Sequence, residues 1–172
     1  EARRGAGLLR KEFPGEGATP VVVVLRYDEG SPLLPARVGQ AYDLSRWLAG
    51  QPGVTGVRSV PDLAPDMSRE DYQRMVKMPT ALWPEEMQAA VARVVGERIM
   101  MLAVSTERPA GSDEACALVH VIRASHPPVD GELLVRGVTA FDLDFMKVVS
   151  DNAPLAIALV VVATYLALLV LL

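Results

Sequence analysis

The sequence has little of what disulfide-stabilised and nucleic-acid-binding proteins need. Cys116 is the only cysteine among 172 residues, so no internal disulfide can form. The 17 basic residues are fewer than the 21 acidic ones and are nowhere clustered, which argues against nucleic acid as a partner. The start of the chain has no signal-peptide pattern. What remains is an acidic chain with the length of one domain.

Candidate catalytic and metal-binding patterns are equally sparse. His120 and His126 are six residues apart, whereas two metal ligands on one helix favour a spacing of three or four. Cys116 and His120 do have the i, i+4 spacing, but two ligands are too few for a zinc site. The glycines at 15–17 and 53–56 match no phosphate-binding loop. We therefore predict no catalytic residue, no metal ligand and no cofactor, and we expect that the protein is not an enzyme.

One uncharged segment, residues 153–172, dominates the sequence. It reads APLAIALVVVATYLALLVLL, and only Pro154 and Thr164 interrupt its apolar character. At about 1.5 Å per residue a helix of this length reaches roughly 30 Å, the thickness of the hydrocarbon core of a bilayer. The segment therefore predicts a transmembrane helix. Because the chain begins with Glu1 and ends inside this segment without interfacial anchors, we expect a fragment of a longer protein.

The rest of the chain alternates between strand and helix patterns. The β-branched runs at 21–27 and 98–105 predict buried strands, and shorter strands are predicted at 54–60 and 133–135. Helices are predicted after each of these five starting signals: Pro35, Ser68, the Trp83-Pro84 pair, Ser112, and Thr139 with Asp142 as a capping box. The order is β-α-β, a helical insert at about 63–96, β-α-β, and a helix into the apolar segment.

This order predicts an α+β fold with a ferredoxin-like split β-α-β sheet, helices on one face, and a C-terminal transmembrane helix. A four-stranded α+β sheet with another strand order is the alternative. We expect residues 1–13 to form a helix that enters from an upstream membrane span, and residues 14–138 to form the α/β domain. Residues 139–172 are expected to form a helix that leads into the span at 153–172.

Four segments carry a family resemblance: EFPGEGATPVVVVLR, LSRWLAGQPGVTGVRSVPDL, LVRGVTAFDLDF and PLAIALVVVATYLALLVLL. In this order they resemble the first extracytoplasmic (porter) domain of the RND superfamily of transporters, most closely its MMPL branch of lipid exporters. They correspond there to the first strand, the first helix with the second strand, the last strand, and the start of transmembrane helix 2. One departure is Arg136-Gly137, where the family often has two glycines.

The resemblance implies an extracytoplasmic, substrate-handling domain of a proton-driven exporter of lipids or other hydrophobic molecules. It places residues 1–152 outside the plasma membrane. It implies four partners: a hydrophobic substrate, the membrane, the remaining transmembrane helices, and a second porter domain of the same transporter. The family's proton-relay carboxylates lie in later transmembrane helices. The alternative is a tail-anchored membrane protein with a soluble α/β interaction domain, and the third reading is an enzyme tethered to the membrane.

The candidate site residues fall into two groups. Candidate substrate contacts come from the insert, whose flexible methionines and tryptophan suit an apolar surface that accepts varied ligands: Met75, Met78, Trp83 and Met87. Packing of the insert onto the sheet is the alternative role of these side chains. Asp144 is a candidate coupling residue, because the MMPL family usually has an acidic residue just before this membrane helix. Pro154 is a second, because proline kinks membrane helices and the segment before it offers no flexible linker.

Overall fold

The structure, a computed structural model, describes residues 21–64, 66–125 and 130–171. Four strands and five helices follow one another along the described chain: β1 (Val21–Arg26), α1 (Pro35–Ala49), β2 (Val54–Arg58), α2 (Arg69–Met75), α3 (Glu85–Val94), β3 (Ile99–Thr106), α4 (Asp113–Ala124), β4 (Glu132–Arg136) and α5 (Val138–Leu171). Short 3₁₀ turns occupy Val60–Asp62 and Thr80–Leu82. The helix predicted at 1–13 and the residue His126 lie outside the described residues.

The four strands form one antiparallel sheet in the order β2-β3-β1-β4. Helix α1 connects β1 to β2 and α4 connects β3 to β4, so that each helix crosses over a strand placed between the two strands it joins. This is the ferredoxin-like split β-α-β arrangement. The predicted α+β fold is confirmed, and the alternative strand order is excluded.

The two faces of the sheet differ in burial. On β1 and β3, side chains that point to one side are buried, such as Val23 and Leu102, while their neighbours Val22 and Met101 are half-exposed. Because successive side chains of a strand point to opposite faces, this alternation marks a face that α1 and α4 cover and a face that these two helices leave open. Helix α1 contacts β2 and β3, and α4 contacts β4. We call the sides the covered face, which includes Val21, Val23, Leu25, Met100, Leu102 and Val104, and the open face, which includes Val22, Val24, Arg26, Ile99, Met101, Ala103, Leu134 and Arg136.

The insert is attached to α1 through α2. Ser68 begins α2 with the predicted capping box: its hydroxyl accepts from the Asp71 backbone N–H, and the Asp71 carboxylate accepts from the Ser68 N–H at 3.1 Å. Gly39 of α1 faces the side chains of Arg69 and Gln73 on α2, which occupy the space beside it. The buried Tyr72 hydroxyl donates to the Ala64 carbonyl and accepts from the Ala64 N–H, both at 2.8 Å. These contacts fix the first half of the insert.

The second half of the insert leads directly into β3. Helix α3 begins at Glu85, one residue after Pro84, and ends at Val94. Val95 then pairs with Met100, and the Gly96 N–H donates to the Ile99 carbonyl at 2.9 Å. The chain therefore turns tightly from α3 into β3, which keeps α3 beside the sheet.

The start of α5 differs from the prediction. The helix begins at Val138, so Thr139 lies inside its first turn, and the Thr139 hydroxyl accepts from the Gly111 backbone N–H at 3.2 Å. The predicted capping box of Thr139 and Asp142 is wrong, because a tertiary contact engages the hydroxyl that the cap requires. Gly137 precedes the helix with φ +139°, a backbone conformation that favours glycine.

The chain divides into two compact units, one that ends at Ala140 and one that begins at Phe141. The second unit contains α5 from Phe141 onward, with exposed apolar side chains such as Leu155 and Leu168. Among the described residues, α5 is the one helix long and apolar enough to cross a membrane. The predicted membrane-spanning character of the C-terminal segment is therefore supported by a single continuous helix.

Candidate functional site

An open cleft of about 450 Å³ lies between the β1–α1 connection and the insert. Leu33, Leu34 and Pro35 line it on one side, and Val76, Met78 and Trp83 line it on the other. We call it the insert cleft. Its lining is mainly apolar, with Lys77 as the charged side chain, and its volume lies in the range of small-molecule binding sites. Such a cleft suits the apolar part of a ligand.

A buried arginine holds the β1–α1 side of the insert cleft in position. The Arg37 side chain is 8% exposed and its Nη1 donates to the Ser31 carbonyl at 3.1 Å. Its Nη2 pairs with the Asp130 carboxylate at 2.9 Å, and its guanidinium lies 4.3 Å from the centre of the Tyr27 ring. Because a buried guanidinium needs such partners, the network ties the connection to the sheet and to the start of β4.

Tyr27 itself is buried beneath this arginine. Burial raises the pKa of its hydroxyl to about 12, while the Arg37 charge acts in the opposite direction to a smaller extent. The hydroxyl is therefore neutral at physiological pH. It has no hydrogen-bond partner within the described residues. Its contribution to the site is the ring that supports Arg37.

Trp83 gives the insert cleft its one buried polar group without a partner. Its side chain is 4% exposed, and its indole Nε1 has no acceptor in the part of the chain that the structure describes. Its carbonyl accepts from the Gln88 side chain at 2.8 Å, which fixes the backbone at the start of α3. A buried N–H without an acceptor is uncommon in proteins and calls for an explanation.

The structure brings together two of the four predicted substrate contacts. Met78 is 50% exposed and lies with Trp83 in the insert cleft. Met75 is buried at the end of α2, and Met87 is half-buried on α3, and neither lines the insert cleft. The role of Met78 and Trp83 in substrate contact stays a prediction.

The two candidate coupling residues lie on α5. Asp144 is exposed three turns before Pro154, and both belong to the unit that begins at Phe141. Pro154 is inside the helix, where it has no N–H to donate to the carbonyl four residues earlier. Between them, Lys147 and Asp151 form an ion pair at 3.1 Å along the helix surface. A coupling role for either residue stays a prediction.

The β1–α1 side of the insert cleft was not predicted from the sequence. Leu33 and Leu34 precede the proline that begins α1, and they meet Val76 and Met78 about forty residues further along the chain. The one local signal is an apolar pair in a connection that would otherwise be polar. Only the packing of α2 against α1 shows that this apolar pair lines a cleft.

Within the described ranges, no group of three or more His, Cys, Asp or Glu side chains is placed to hold a metal ion. Cys116 is half-buried and His120 is exposed on α4. No model of a known protein family matches the sequence, and no curated protein is significantly similar to it.

Proposed function

We propose that this chain is the extracytoplasmic, substrate-handling domain of a proton-driven exporter of lipids or other hydrophobic molecules, of the MMPL branch of the RND superfamily. In this proposal residues 1–152 lie outside the plasma membrane. The unit that begins at Phe141 enters the membrane. The remaining transmembrane helices and a second porter domain would complete the transporter.

The observation that carries the proposal is the insert cleft. It is open to solvent and mainly apolar, and its lining includes the flexible side chain of Met78 beside the buried indole of Trp83. Methionine adapts its shape to different apolar ligands, and the indole of Trp83 adds apolar area beside it. A receiving site for varied lipids needs this combination of adaptable apolar area and few polar contacts.

Two further features support the proposal. The ferredoxin-like α+β unit is the fold that the resemblance implied, with the insert at the predicted place between β2 and β3. Helix α5 follows this unit directly in the chain and has the length and composition of a membrane span. The tail-anchored alternative shares α5, and an interaction domain could also use an apolar cleft, so the lipid-crosslinking experiment has to separate the two.

Photocrosslinking tests the proposal. The full chain, reconstituted in lipid nanodiscs that contain a diazirine-bearing phospholipid, is irradiated and the labelled residues are identified by mass spectrometry. We expect labels at residues 76–83 and 31–35 in addition to α5. Met78→Gln should reduce labelling of the insert several-fold, because it places an amide in the apolar lining.

Val121→Gln is the matched control, since Val121 is 44% exposed on α4 and does not line the cleft. It should leave labelling of the insert unchanged. Labels confined to α5 in the unsubstituted chain would refute a lipid-receiving role and favour the tail-anchored alternative.

A second experiment tests the transporter part of the proposal. Helix α5 runs without interruption through Asp151 and Pro154, so a Gly-Ser linker inserted after Asp151 breaks it at the expected membrane boundary. In the complete protein we expect this insertion to abolish lipid export, because movement of the membrane helix would no longer reach the soluble unit. Unchanged export would refute the coupling role.

A further inference from the structure

A second cleft, of about 430 Å³, lies where α3 meets the open face of the sheet. Its lining includes Arg58 at the end of β2, Ala103 on β3, and Arg93 and Val94 on α3, with Asp62 and Leu63 from the turn after β2. We call it the arginine cleft. It is separate from the insert cleft, because the two share no lining residue.

The two arginines of this cleft lack counter-charges. Across residues 21–64, 66–125 and 130–171, neither Arg58 nor Arg93 forms an ion pair or a side-chain hydrogen bond. The one carboxylate in the lining, Asp62, is already engaged: it accepts from the hydroxyls of Ser45 at 2.8 Å and Ser59 at 2.6 Å. Asp62 therefore needs no contact with either arginine.

The balance of charge in the cleft is positive. The single charge of Asp62 is offset by Arg46, whose Nη1 lies 3.7 Å from it. The C-terminal end of α3, where Arg93 lies, adds a partial charge of about −0.5. The two unit charges of Arg58 and Arg93 exceed that partial charge. An anion entering the cleft is attracted rather than repelled, although the protein as a whole is acidic.

An apolar strip continues from this charged cleft along the open face. Ala103, inside the cleft, pairs with Val22 on β1, and the next row on the same face pairs Met101 with Val24. All four side chains are half-buried. The strip is two strands wide, with a spacing of roughly 5 Å between the strands, and it extends about 7 Å along them. Arg58 and Arg93 thus lie at one end of an apolar surface that is about as wide as an acyl chain.

We propose that the arginine cleft binds an anionic amphiphile. Its phosphate or carboxylate headgroup lies between Arg58 and Arg93, and its chain lies on Ala103, Val22 and Met101. The fork of a guanidinium matches two oxygens of a phosphate or carboxylate, which makes arginine the suitable cation for this headgroup. An acidic protein helix fits less well, because about 430 Å³ accommodates only about one turn of a helix 10–12 Å across. That the ligand is a lipid rests on the proposed function. The arginine cleft adds the class of lipid, which is one with a negatively charged headgroup.

Titration with monododecyl phosphate tests the inference. The full chain is labelled with ¹⁵N in nonionic detergent micelles at constant detergent concentration, and the amide shifts of Ala90, Val94 and Ala103 are followed. We expect saturable shifts at these amides. Arg58→Gln and Arg93→Gln should each weaken binding about tenfold, in line with the loss of one charge-assisted hydrogen bond.

Arg136→Gln is the matched control. Arg136 is exposed on the open face without a described partner, and it lies at the opposite edge of the sheet from Arg58 in the same cross-strand row, Arg58–Ala103–Val22–Arg136. This variant should bind the probe within twofold of the unsubstituted chain. An equal loss in all three variants would overturn the inference, because it would indicate a general attraction to the face.

Two ligand fragments and a competitor separate the sources of the chemistry. Inorganic phosphate and dodecanol should each bind at least tenfold more weakly than monododecyl phosphate, since each lacks half of the ligand. If inorganic phosphate binds as tightly as monododecyl phosphate, the cleft is a simple anion site. If hexaglutamate displaces monododecyl phosphate more effectively than inorganic phosphate does, the partner is an acidic protein. Either result overturns the inference. If monododecyl phosphate binds the arginine cleft but the diazirine-bearing phospholipid labels no residue of the insert cleft, the result would count against the proposed function instead.

Discussion

The covered and open faces of the sheet differ along the same strands. Val23 and Leu102 on the covered face are fully buried, whereas their neighbours Val22 and Met101 on the open face are half-exposed. The covered face is apolar almost throughout, and the open face combines its apolar centre with Arg58 and Arg136 on the two edge strands. The difference indicates that one face provides most of the stability while the other remains available for binding.

The arginines of the open face have two competing explanations. Arg58 is on β2 and Arg136 is on β4, and these are the edge strands of the sheet. Charged side chains on edge strands discourage pairing with another chain. Only Arg58 also lines the arginine cleft. The explanations predict different phenotypes, because edge protection concerns self-association and ligand binding concerns affinity.

The largest expected effect is the loss of a covered-face side chain. Leu102→Ala should lower the free energy of unfolding by about 3 kcal/mol, because it removes a fully buried side chain and leaves a cavity between the sheet and its helices. Urea denaturation of the full chain in nonionic micelles, followed by far-UV circular dichroism, measures it. Met101→Ala, one residue earlier on the open face, should cost about 1 kcal/mol or less. Equal losses at the two positions would remove the distinction between the faces.

The next effect concerns the junction of β1 and β4. Gly131 has φ +153°, and a Cβ at this position would collide with the backbone carbonyl of Arg26. Gly131→Ala should therefore cost about 2 kcal/mol through backbone strain and displacement of β4. The same denaturation assay measures it. Gly56→Ala is the control, because its Cβ would meet nothing within 4 Å and its φ is not in the positive range. It should change stability by less than about 0.5 kcal/mol.

The third effect is a pH dependence of the free energy of unfolding, and it is caused by the buried Tyr27. The hydroxyl of Tyr27 ionises near pH 10 in the unfolded chain and at about 12 in the folded one, so above pH 10 the unfolded state loses a proton that the folded state keeps. Its stabilising contribution is complete below pH 10 and is lost as the pH rises towards 12. At pH 11 the loss should be about 1.4 kcal/mol relative to pH 8.

Tyr27→Phe isolates this contribution, since the hydroxyl has no described partner and its removal leaves no acceptor unsatisfied. At neutral pH the variant should be as stable as the unsubstituted chain or slightly more stable. Between pH 8 and 11 its stability should fall less steeply, by about 1.4 kcal/mol in total. Parallel curves would show that Tyr27 does not keep its proton in the folded state.

Most of the fold was predictable because its signals are local. The β-branched runs gave β1 and β3, Pro35 gave the start of α1, and Ser68 gave the capping box of α2. Thr139 shows the limit, because its hydroxyl contacts Gly111, 28 residues away, and so does not form the cap that its spacing with Asp142 suggested. A local pattern cannot reveal which distant group competes for a side chain.

The candidate sites were less predictable for the same reason. Met78 and Trp83 were found by composition, since both belong to one methionine-rich segment. Arg58 and Arg93 were not, because they lie on different elements and come together only when α3 turns into β3 beside the end of β2. In the sequence each is an isolated arginine in a charged, acidic chain. Only the sheet order and the packing of the insert make them neighbours.

The smallest expected effect is the one that decides between the two explanations for the open-face arginines. Replacing both Arg58 and Arg136 by glutamine should change the free energy of unfolding by less than about 0.5 kcal/mol, since both are exposed and neither has a described ion-pair partner. Sedimentation equilibrium of the variant in nonionic micelles should then show the same molecular mass as the unsubstituted chain. New self-association would favour edge protection as the role of Arg58. A loss above about 1 kcal/mol would mean that the open face, like the covered one, contributes to the stability of the fold.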